Sequence, residues 1–375
     1  MSLGITGMGW VTPFGSELTG VWQRLLNGET ASAQSISSPM GRDYRVFPVP
    51  AEAIARAPAH PRLRRCSAIS RFAVVAGLAA MDDASLKLDP ETAARTALIF
   101  AVSNGGVIYT KRFYHDIVAS GAQAASPLLF PETVFNAPAS HLAAILGITG
   151  ASYTLVGDGA VGILALKMAE DLLASETLDR CLVVGAEEAD WLLCDAYRKW
   201  RLLRSVPPVE PFQQPPRGTI LSEGAGALLL GRSGEIRLEK ITAGTNFRKQ
   251  REAGEALRKI FEELAEDNVD LVVASANGTF IDSAEHDAML RSCPDARVYA
   301  MKEALGESVG ASSLWQTICG AQCLRTQLVP PNSPPVPGPQ VRSRPRQGSD
   351  HQLRRAIISV CGLNQQVAGL RLAKS

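Results

Sequence analysis

Neither sign of charge dominates this chain: 38 lysines and arginines stand against 37 aspartates and glutamates in 375 residues. Without a basic excess, nucleic-acid binding has no compositional support. No basic-then-apolar region opens the sequence, and no uninterrupted apolar run reaches membrane-spanning length. The expectation is a cytoplasmic protein with no membrane span. Cysteine is scarce and unpatterned. The seven cysteines are odd in number, sit in apolar surroundings and form no Cys-x-x-Cys pair, which fits reduced thiols and not a disulfide framework. Cys319 and Cys323 are one helical turn apart with no histidine near them, so they read as buried helix positions and no metal is expected. His115, His141 and His286 converge on no motif and read as ordinary surface or helix residues.

What the chain does contain is apolar sequence, 46% of it, enough for one large core or two ordinary domains. Continuous apolar runs at Leu3 to Thr6, Thr96 to Ser103, Cys181 to Ala186 and Gly224 to Leu230 read as buried strands. Helical patterns lie between them at Val21 to Leu26, Ser70 to Leu86 and Ala137 to Leu146. Residues Ala31 to Pro61, rich in Ser, Pro and Arg, read as irregular surface. From Ile236 a second run of similar style begins. Its strands are expected at 236–243, 269–276, 297–300, 356–360 and 367–372, and its helices at 251–265, from Asp282, and at 309–324. Strands alternating with helices in both halves argue for an α/β protein with parallel or mixed sheets covered by helices. The Pro-rich run Pro330 to Pro345 reads as an extended connector.

One stretch organises the rest: Ala151-Ser-Tyr-Thr-Leu-Val-Gly-Asp-Gly-Ala-Val-Gly-Ile-Leu-Ala-Leu166. Ser152 to Val156 reads as a buried strand, Gly157 to Gly159 as a tight turn, and Ala160 onward as a helix. That arrangement aims unpaired N–H groups and the positive end of a helix dipole at the turn residue, a place suited to a nucleophile or an oxyanion. The turn holds Gly159, which has no side chain to react. Gly157-Asp-Gly159-Ala-Val-Gly162 also spells Gly-x-Gly-x-x-Gly after a strand, and Glu187 stands roughly where a ribose-binding acid would. A dinucleotide-binding protein is therefore a minor alternative.

Several segments, taken in order, resemble the β-ketoacyl-acyl-carrier-protein synthases, the condensing enzymes of the thiolase fold. Ile5-Thr-Gly-Met-Gly-Trp-Val-Thr-Pro-Phe-Gly15 resembles their first strand and turn, and Val21-Trp-Gln-Arg-Leu-Leu-Asn-Gly28 the helix after it. Glu210-Pro-Phe212, Arg217-Gly218 and Ser222-Glu-Gly-Ala-Gly226 resemble their loop and Gly-Glu-Gly-Ala-Gly strand start. Ala276-Asn-Gly-Thr279 with Asp282 and Glu285 resembles the His-Gly-Thr turn and its acidic pair. Lys302, Gly306 and Gly310-Ala311 resemble the Lys-x-x-x-Gly-His segment. The resemblance spans nearly the whole chain. It implies a five-layer αβαβα fold with two pseudo-repeated halves, 1–235 and 236–375, forming one compact unit.

Carried over position by position, the family's acyl-bearing cysteine falls on Gly159 and its two histidines on Asn277 and Glu307, while Lys302 and Glu223 remain as pocket support. The closing Gly-Phe-Gly-Gly loop falls on Cys361-Gly362-Leu363-Asn364. Glycine cannot form a thioester, Asn277 cannot carry a protonic charge, and an ionised Glu307 would repel a malonyl carboxylate. The resemblance thus implies a protein of the acyltransferase family in which condensation is absent. It would be the non-condensing, chain-length-factor-like partner of an active ketosynthase in type II fatty-acid or polyketide/aryl-polyene-type biosynthesis. The alternative is an acyltransferase or thioesterase with Cys361 as relocated nucleophile, Glu307 as base and Asn277 as carbonyl donor. No cofactor is implied. Arg62, Arg64, Arg65 and Arg71 cluster where related enzymes dock their acyl carrier protein, and Arg198, Lys199, Arg201 and Arg204 form a second basic run with Trp191, Tyr197 and Trp200 between them. Ser103 to Gly106 and Ser126 to Phe135 would line the tunnel mouth.

Overall fold

The computed structural model describes residues 3–265, 268–332 and 352–375. Most of the Pro-rich run, from residue 333, lies outside the described residues. Five strands carry the first half: β1 (Leu3–Val11), β2 (Thr96–Val102), β3 (Ser152–Val156), β4 (Arg180–Glu187) and β5 (Gly224–Gly231). Five carry the second: β6 (Ile236–Ile241), β7 (Leu271–Val273), β8 (Arg297–Tyr299), β9 (Arg355–Cys361) and β10 (Gln366–Lys374). Their spatial orders are β1-β5-β4-β2-β3 and β6-β10-β9-β7-β8. The two orders are one order written twice. In each half the second strand pairs in parallel with the third and fourth, and the fifth pairs antiparallel with the fourth and first. The half-sheets join through β1 and β6, antiparallel with Leu3 opposite Leu238.

Six helices complete the five layers. The helices α1 (Ala68–Asp83) and α2 (Ala137–Leu146) cover the outer face of the first half-sheet. In the middle, α3 (Val161–Leu173) and α6 (Ser312–Thr326) meet each other between the half-sheets. The outer face of the second half-sheet carries α4 (Ala253–Leu264) and α5 (Ile281–Ser292). Position dictates composition. The outer helix α4 buries one face, with Ala253, Ala256, Leu257, Ile260, Phe261 and Leu264 inward, as a helix wet on one side should. The middle helix α6 is buried all round from Ser312 to Leu324 and shows no such stripe. Close approach of backbones selects small residues. A Cβ on Gly7 or Gly9 of β1 would overlap the α1 carbonyls of Ala80 and Ala76, and one on Gly162 of α3 would overlap Ser313 Oγ of α6.

Three sequence expectations change here. Residues 31–61 are not irregular surface: Gln34–Ser37 and Asp43–Phe47 form a hairpin whose second strand pairs in parallel with Leu221–Ser222, and Phe47 is fully buried. The first strand does not stop at Thr6 but runs to Val11, and its Gly7 and Gly9 serve packing against α1. The strand Ser152–Val156 is not buried. It closes the sheet, paired with β2 on one side only, and leaves Tyr153 and Val156 exposed. Helices at Val107–Ser120 and Trp191–Lys199 were not expected from the sequence pattern.

Candidate active site

The site forms where β3 turns into α3. Gly157 N–H donates to the Val102 carbonyl at 3.0 Å, holding the end of β3 against β2, and Val161 N–H donates to the Asp158 carbonyl at 2.8 Å, closing the first turn of the helix. Among the described residues no side chain caps the head of α3 at Ala160. A Cβ built on Gly159 would lie 3.1 Å from Gly362 Cα. Any side chain at 159 therefore presses on the β9–β10 loop. The Gly157 to Gly162 run is occupied by this turn and by the α3–α6 contact, and Glu187 is buried with its carboxylate taken by the N–H groups of Ser103 and Asn104 at 3.2–3.3 Å. Those contacts leave the dinucleotide reading without a free glycine loop or a free acid.

Facing the elbow is a buried polar cluster from the second half. Lys302 Nζ is 2.7 Å from Glu307 Oε2, and the same oxygen accepts from Asn277 Nδ2 at 2.8 Å. Asn277 Oδ1 accepts from Thr279 Oγ1 at 2.6 Å, which fixes the amide's orientation. Both side chains of the ion pair are nearly sealed from solvent, at 2% and 3% exposure. Glu307 Oε1 is buried with no hydrogen-bond partner among the described residues. The sequence expectation of an uncompensated like charge at Glu307 is thus modified: Lys302 answers it directly. Ser275 connects the cluster to Cys361, accepting from the Cys361 N–H at 2.9 Å and donating to its carbonyl at 3.1 Å, with Lys302 Nζ 3.5 Å away.

Two carboxylates hold this turn from behind. Asp282 accepts from the N–H groups of Asn277, Gly278 and Phe212 at 2.6–3.1 Å, and Glu285 from those of Ser275 and Ala276 at 2.8 Å. Burial pushes Asp282 up to about 6 and Glu285 up to about 7, the backbone bonds opposing it. Burial, and then the charge of Glu285, also push the Cys361 thiol well above its ordinary range. Cys361 is 1% exposed and its Sγ donates to the Gly362 carbonyl at 3.7 Å. A thiol held neutral and sealed is poorly suited to attack.

The remaining sequence candidates lie elsewhere. Glu223 accepts from Val49 N–H at 3.1 Å and Ala189 N–H at 3.3 Å, tying two loops together, and burial raises its pKa. Arg62, Arg64 and Arg65 are exposed near the start of α1, whereas Arg71 donates to the Leu63 carbonyl at 3.1 Å. Beside them runs an open groove of about 400 Å³ lined by Ile54, Leu63, His60, Arg64 and Arg71, away from the elbow. The second basic run disperses: Arg198 and Lys199 converge with Arg42 on Asp195, Arg204 pairs with Glu210 at 3.1 Å, and Tyr197 is buried. His141 is a helix residue, as expected, on α2, and its Nε2 lies 2.6 Å from Glu132 Oε1. All seven cysteines are buried and unpaired. Among the described residues no group of His, Cys, Asp or Glu could hold a metal ion, and no helix is long and apolar enough to cross a membrane.

Sequence reasoning missed Asp158, which binds the β9–β10 loop, and the place of Tyr197, which is buried within electrostatic reach of Glu187, Asp158 and Glu307. A charged residue set between the two turn glycines was the available signal for Asp158.

Comparison with known proteins agrees with this architecture. Residues 2–235 match the family model described as Beta-ketoacyl synthase, N-terminal domain, and residues 238–334 match Beta-ketoacyl synthase, C-terminal domain. The chain is 25% identical over 356 residues to Nodulation protein E of Rhizobium leguminosarum bv. trifolii, covering 88% of each. It is 22% identical over 369 residues to 3-oxoacyl-[acyl-carrier-protein] synthase 2 of Vibrio cholerae, covering 87% of each. Among solved structures, the ishigamide ketosynthase/chain length factor superposes with a TM-score of 0.85 at 20% identity, over 100% of this chain and 99% of that one. With its repeated half-sheets, its central helix pair and matches over both halves, this chain belongs to the β-ketoacyl synthase family.

Proposed function

We propose that this chain is the non-condensing, chain-length-factor-like subunit of a ketosynthase pair. It would act in type II fatty-acid or polyketide/aryl-polyene-type biosynthesis in the cytoplasm, with residues 1–235 and 236–375 working as one unit. The observation that carries this reading is Gly159. At the head of α3, where the fold aims a helix N-terminus, there is no atom to take up an acyl group, and the neighbouring loop at Gly362 stands within contact of where one would start. Asn277 and Lys302 are both engaged with Glu307 instead of facing an open carbonyl site. Removing one member of a cooperating catalytic set costs most of its activity, and three are replaced here.

A partner is supported by the exposed edge of β3. Tyr153 and Val156 are 43% and 53% exposed on a strand whose outer backbone groups have no strand beside them among the described residues. Near the same end of the sheet, the helix Val107–Ser120 and the segment after it expose Val118, Leu128, Phe130 and Phe135. An unpaired edge flanked by apolar side chains calls for a covering surface. The partner of best fit is a ketosynthase with an intact Cys-His-His set, and an acyl carrier protein would dock at Arg62, Arg64 and Arg65. Co-expression with such a ketosynthase tests the reading: a 1:1 complex surviving size exclusion is expected. A stable, well-behaved monomer that ignores the ketosynthase would overturn it.

A further inference from the structure

The loop that follows β9 is tied to the elbow by bonds that the elbow's own sequence supplies. Asp158 Oδ2 accepts from the N–H groups of Asn364 at 2.8 Å and Gln365 at 2.9 Å. In return Asp158 N–H donates to Gln366 Oε1 at 2.8 Å. The loop is also closed on itself, Gly362 N–H donating to the Gln366 carbonyl at 2.7 Å, and anchored outward by Phe247 N–H on the Gln365 carbonyl at 3.0 Å. Asp158 sits so close to the loop that a Cβ on Gly362 would overlap its carboxylate. Leu363 is buried in the same apolar cluster as Tyr197, Phe212 and Cys361. The result is a strap lying across Gly159, with two charge-assisted hydrogen bonds at one end and a buried leucine in its middle.

We infer that Asp158 latches the 362–366 loop over the elbow, so that this chain's own acyl site stays shut and admits no acyl chain. This rests on reading the elbow as the family's acyl site and adds to it a specific residue and a consequence: a growing chain in the complex is confined to the partner's side. Both loop amides converge on one oxygen, so Asp158→Asn, which keeps a carbonyl acceptor in place, preserves the latch, while Asp158→Ala removes it. Gln366→Ala breaks the return bond without altering the elbow.

The test is hydrogen exchange on the full chain, in complex with its partner where one is recovered, combined with titration of a fluorescent long-chain fatty acid. In Asp158→Ala the amides of Asn364 and Gln365 should exchange about tenfold faster or more, as expected when a locally closed segment loses charge-assisted bonds, with α6 unaffected. Asp158→Asn should stay near the parent. The parent should show no saturable binding of the fatty acid and Asp158→Ala should show it. Unchanged exchange in Asp158→Ala would overturn the latch. Fatty-acid binding equally tight in parent and variant would overturn the closed site, as would an opened loop that still binds nothing. If Asp158→Ala unfolds, so that α6 loses protection too, Gln366→Ala gives the same readout under the same criteria. None of these outcomes alters co-purification with a ketosynthase, which tests the subunit reading separately.

Discussion

Lys302 and Glu307 form an ion pair sealed at 2% and 3% exposure, and its removal by halves and as a whole makes different predictions. In Lys302→Met the Glu307 carboxylate keeps only the Asn277 amide, with Oε1 already unpartnered. In Glu307→Leu the ammonium keeps, as hydrogen-bond partner among the described residues, Ser275 Oγ at 3.5 Å. Breaking a buried pair from one side costs about 3–5 kcal/mol, because the desolvated charge left behind has lost its counter-ion. The doubly apolar Lys302→Met/Glu307→Leu removes the desolvation cost together with the attraction, so its loss should be well below the sum of the single losses, about 1–3 kcal/mol for the buried Asn277 amide left without its acceptor. With an unfolding entropy of about 2 cal/mol/K per residue, a cooperative unit of this size shifts by a little over 1 °C per kcal/mol, so each single variant should lower Tm by about 4–6 °C. Scanning calorimetry or denaturant titration of the four proteins closes the cycle. If the two single losses simply add in the double variant, the pair is not coupled and the reasoning is wrong. If the single variants lose less than about 1 kcal/mol, the pair behaves as a surface bridge would and its burial has no energetic meaning.

Burial raises Glu187 to about 8, Glu188 and Glu285 to about 7, and Asp282 to about 6. Between the unfolded carboxylate range and these values the native state holds more protons than the unfolded chain, so stability is greatest at the acidic end of that window and falls as pH rises toward 8. Tm measured from pH 5 to 9 checks this, and Glu187→Gln should flatten the upper part of the curve; a Tm that climbs from pH 6 to 8 would contradict the assignment. Gly159→Cys should leave malonyl-dependent condensation at background, since Asn277 and Glu307 remain as they are, and should cost some stability through the 3.1 Å approach to Gly362; radiolabelled chain extension by the variant alone would refute this. Val156→Lys on the β3 edge should abolish complex formation while leaving the isolated chain's Tm within about 1 °C, read by size exclusion and calorimetry, because an exposed residue loses no core contact. Charge reversal at Arg64 and Arg65 should slow association with an acidic carrier protein steeply at low salt and little at high salt, measured by stopped flow.

The parts of the fold that were legible in the sequence are those whose environment is symmetric. The strands Thr96–Val102 and Arg180–Glu187 are covered on both faces, so each is a continuous apolar run that can be nothing else in an alternating α/β pattern. Ser152–Val156 has the same β-branched character, yet whether such a strand is buried depends on what lies beyond the sheet edge, which no local pattern encodes. The hairpin Gln34–Phe47 was hidden for a related reason: its third strand is contributed by Leu221–Ser222, nearly two hundred residues on. Val107–Ser120 resisted reading because Val, Ile, Thr and aromatic side chains carry little helix propensity and only Val107 is buried, leaving no apolar stripe. At the site, family resemblance placed Asn277, Lys302 and Glu307, and the structure unites them. Their bonding was not legible, nor was the Asp158 contact with Asn364, which spans 206 positions.

Under the proposed reading, Gly159, Asn277 and Glu307 are consistent with one another in physical terms. The turn that presents Asn277 is held by Asp282 and Glu285 through backbone N–H groups, so its shape does not depend on which side chain stands at 277. The elbow is held by Val102 and by helix geometry, so its shape does not depend on a side chain at 159. Catalytic groups could therefore leave this scaffold without unfolding it. Lys302 is fully buried and needs an anion or an acceptor, and Glu307 supplies one at 2.7 Å. Under the proposed non-condensing reading, Glu307 would be the residue that makes an idle site tolerable. Glu307→His should then be destabilising on its own, by about 3 kcal/mol or more if the imidazole is neutral or charged beside an unpaired Lys302. It should become tolerable only when Lys302 is also made apolar, a dependence that a thermal-shift series over the two positions would expose or dismiss.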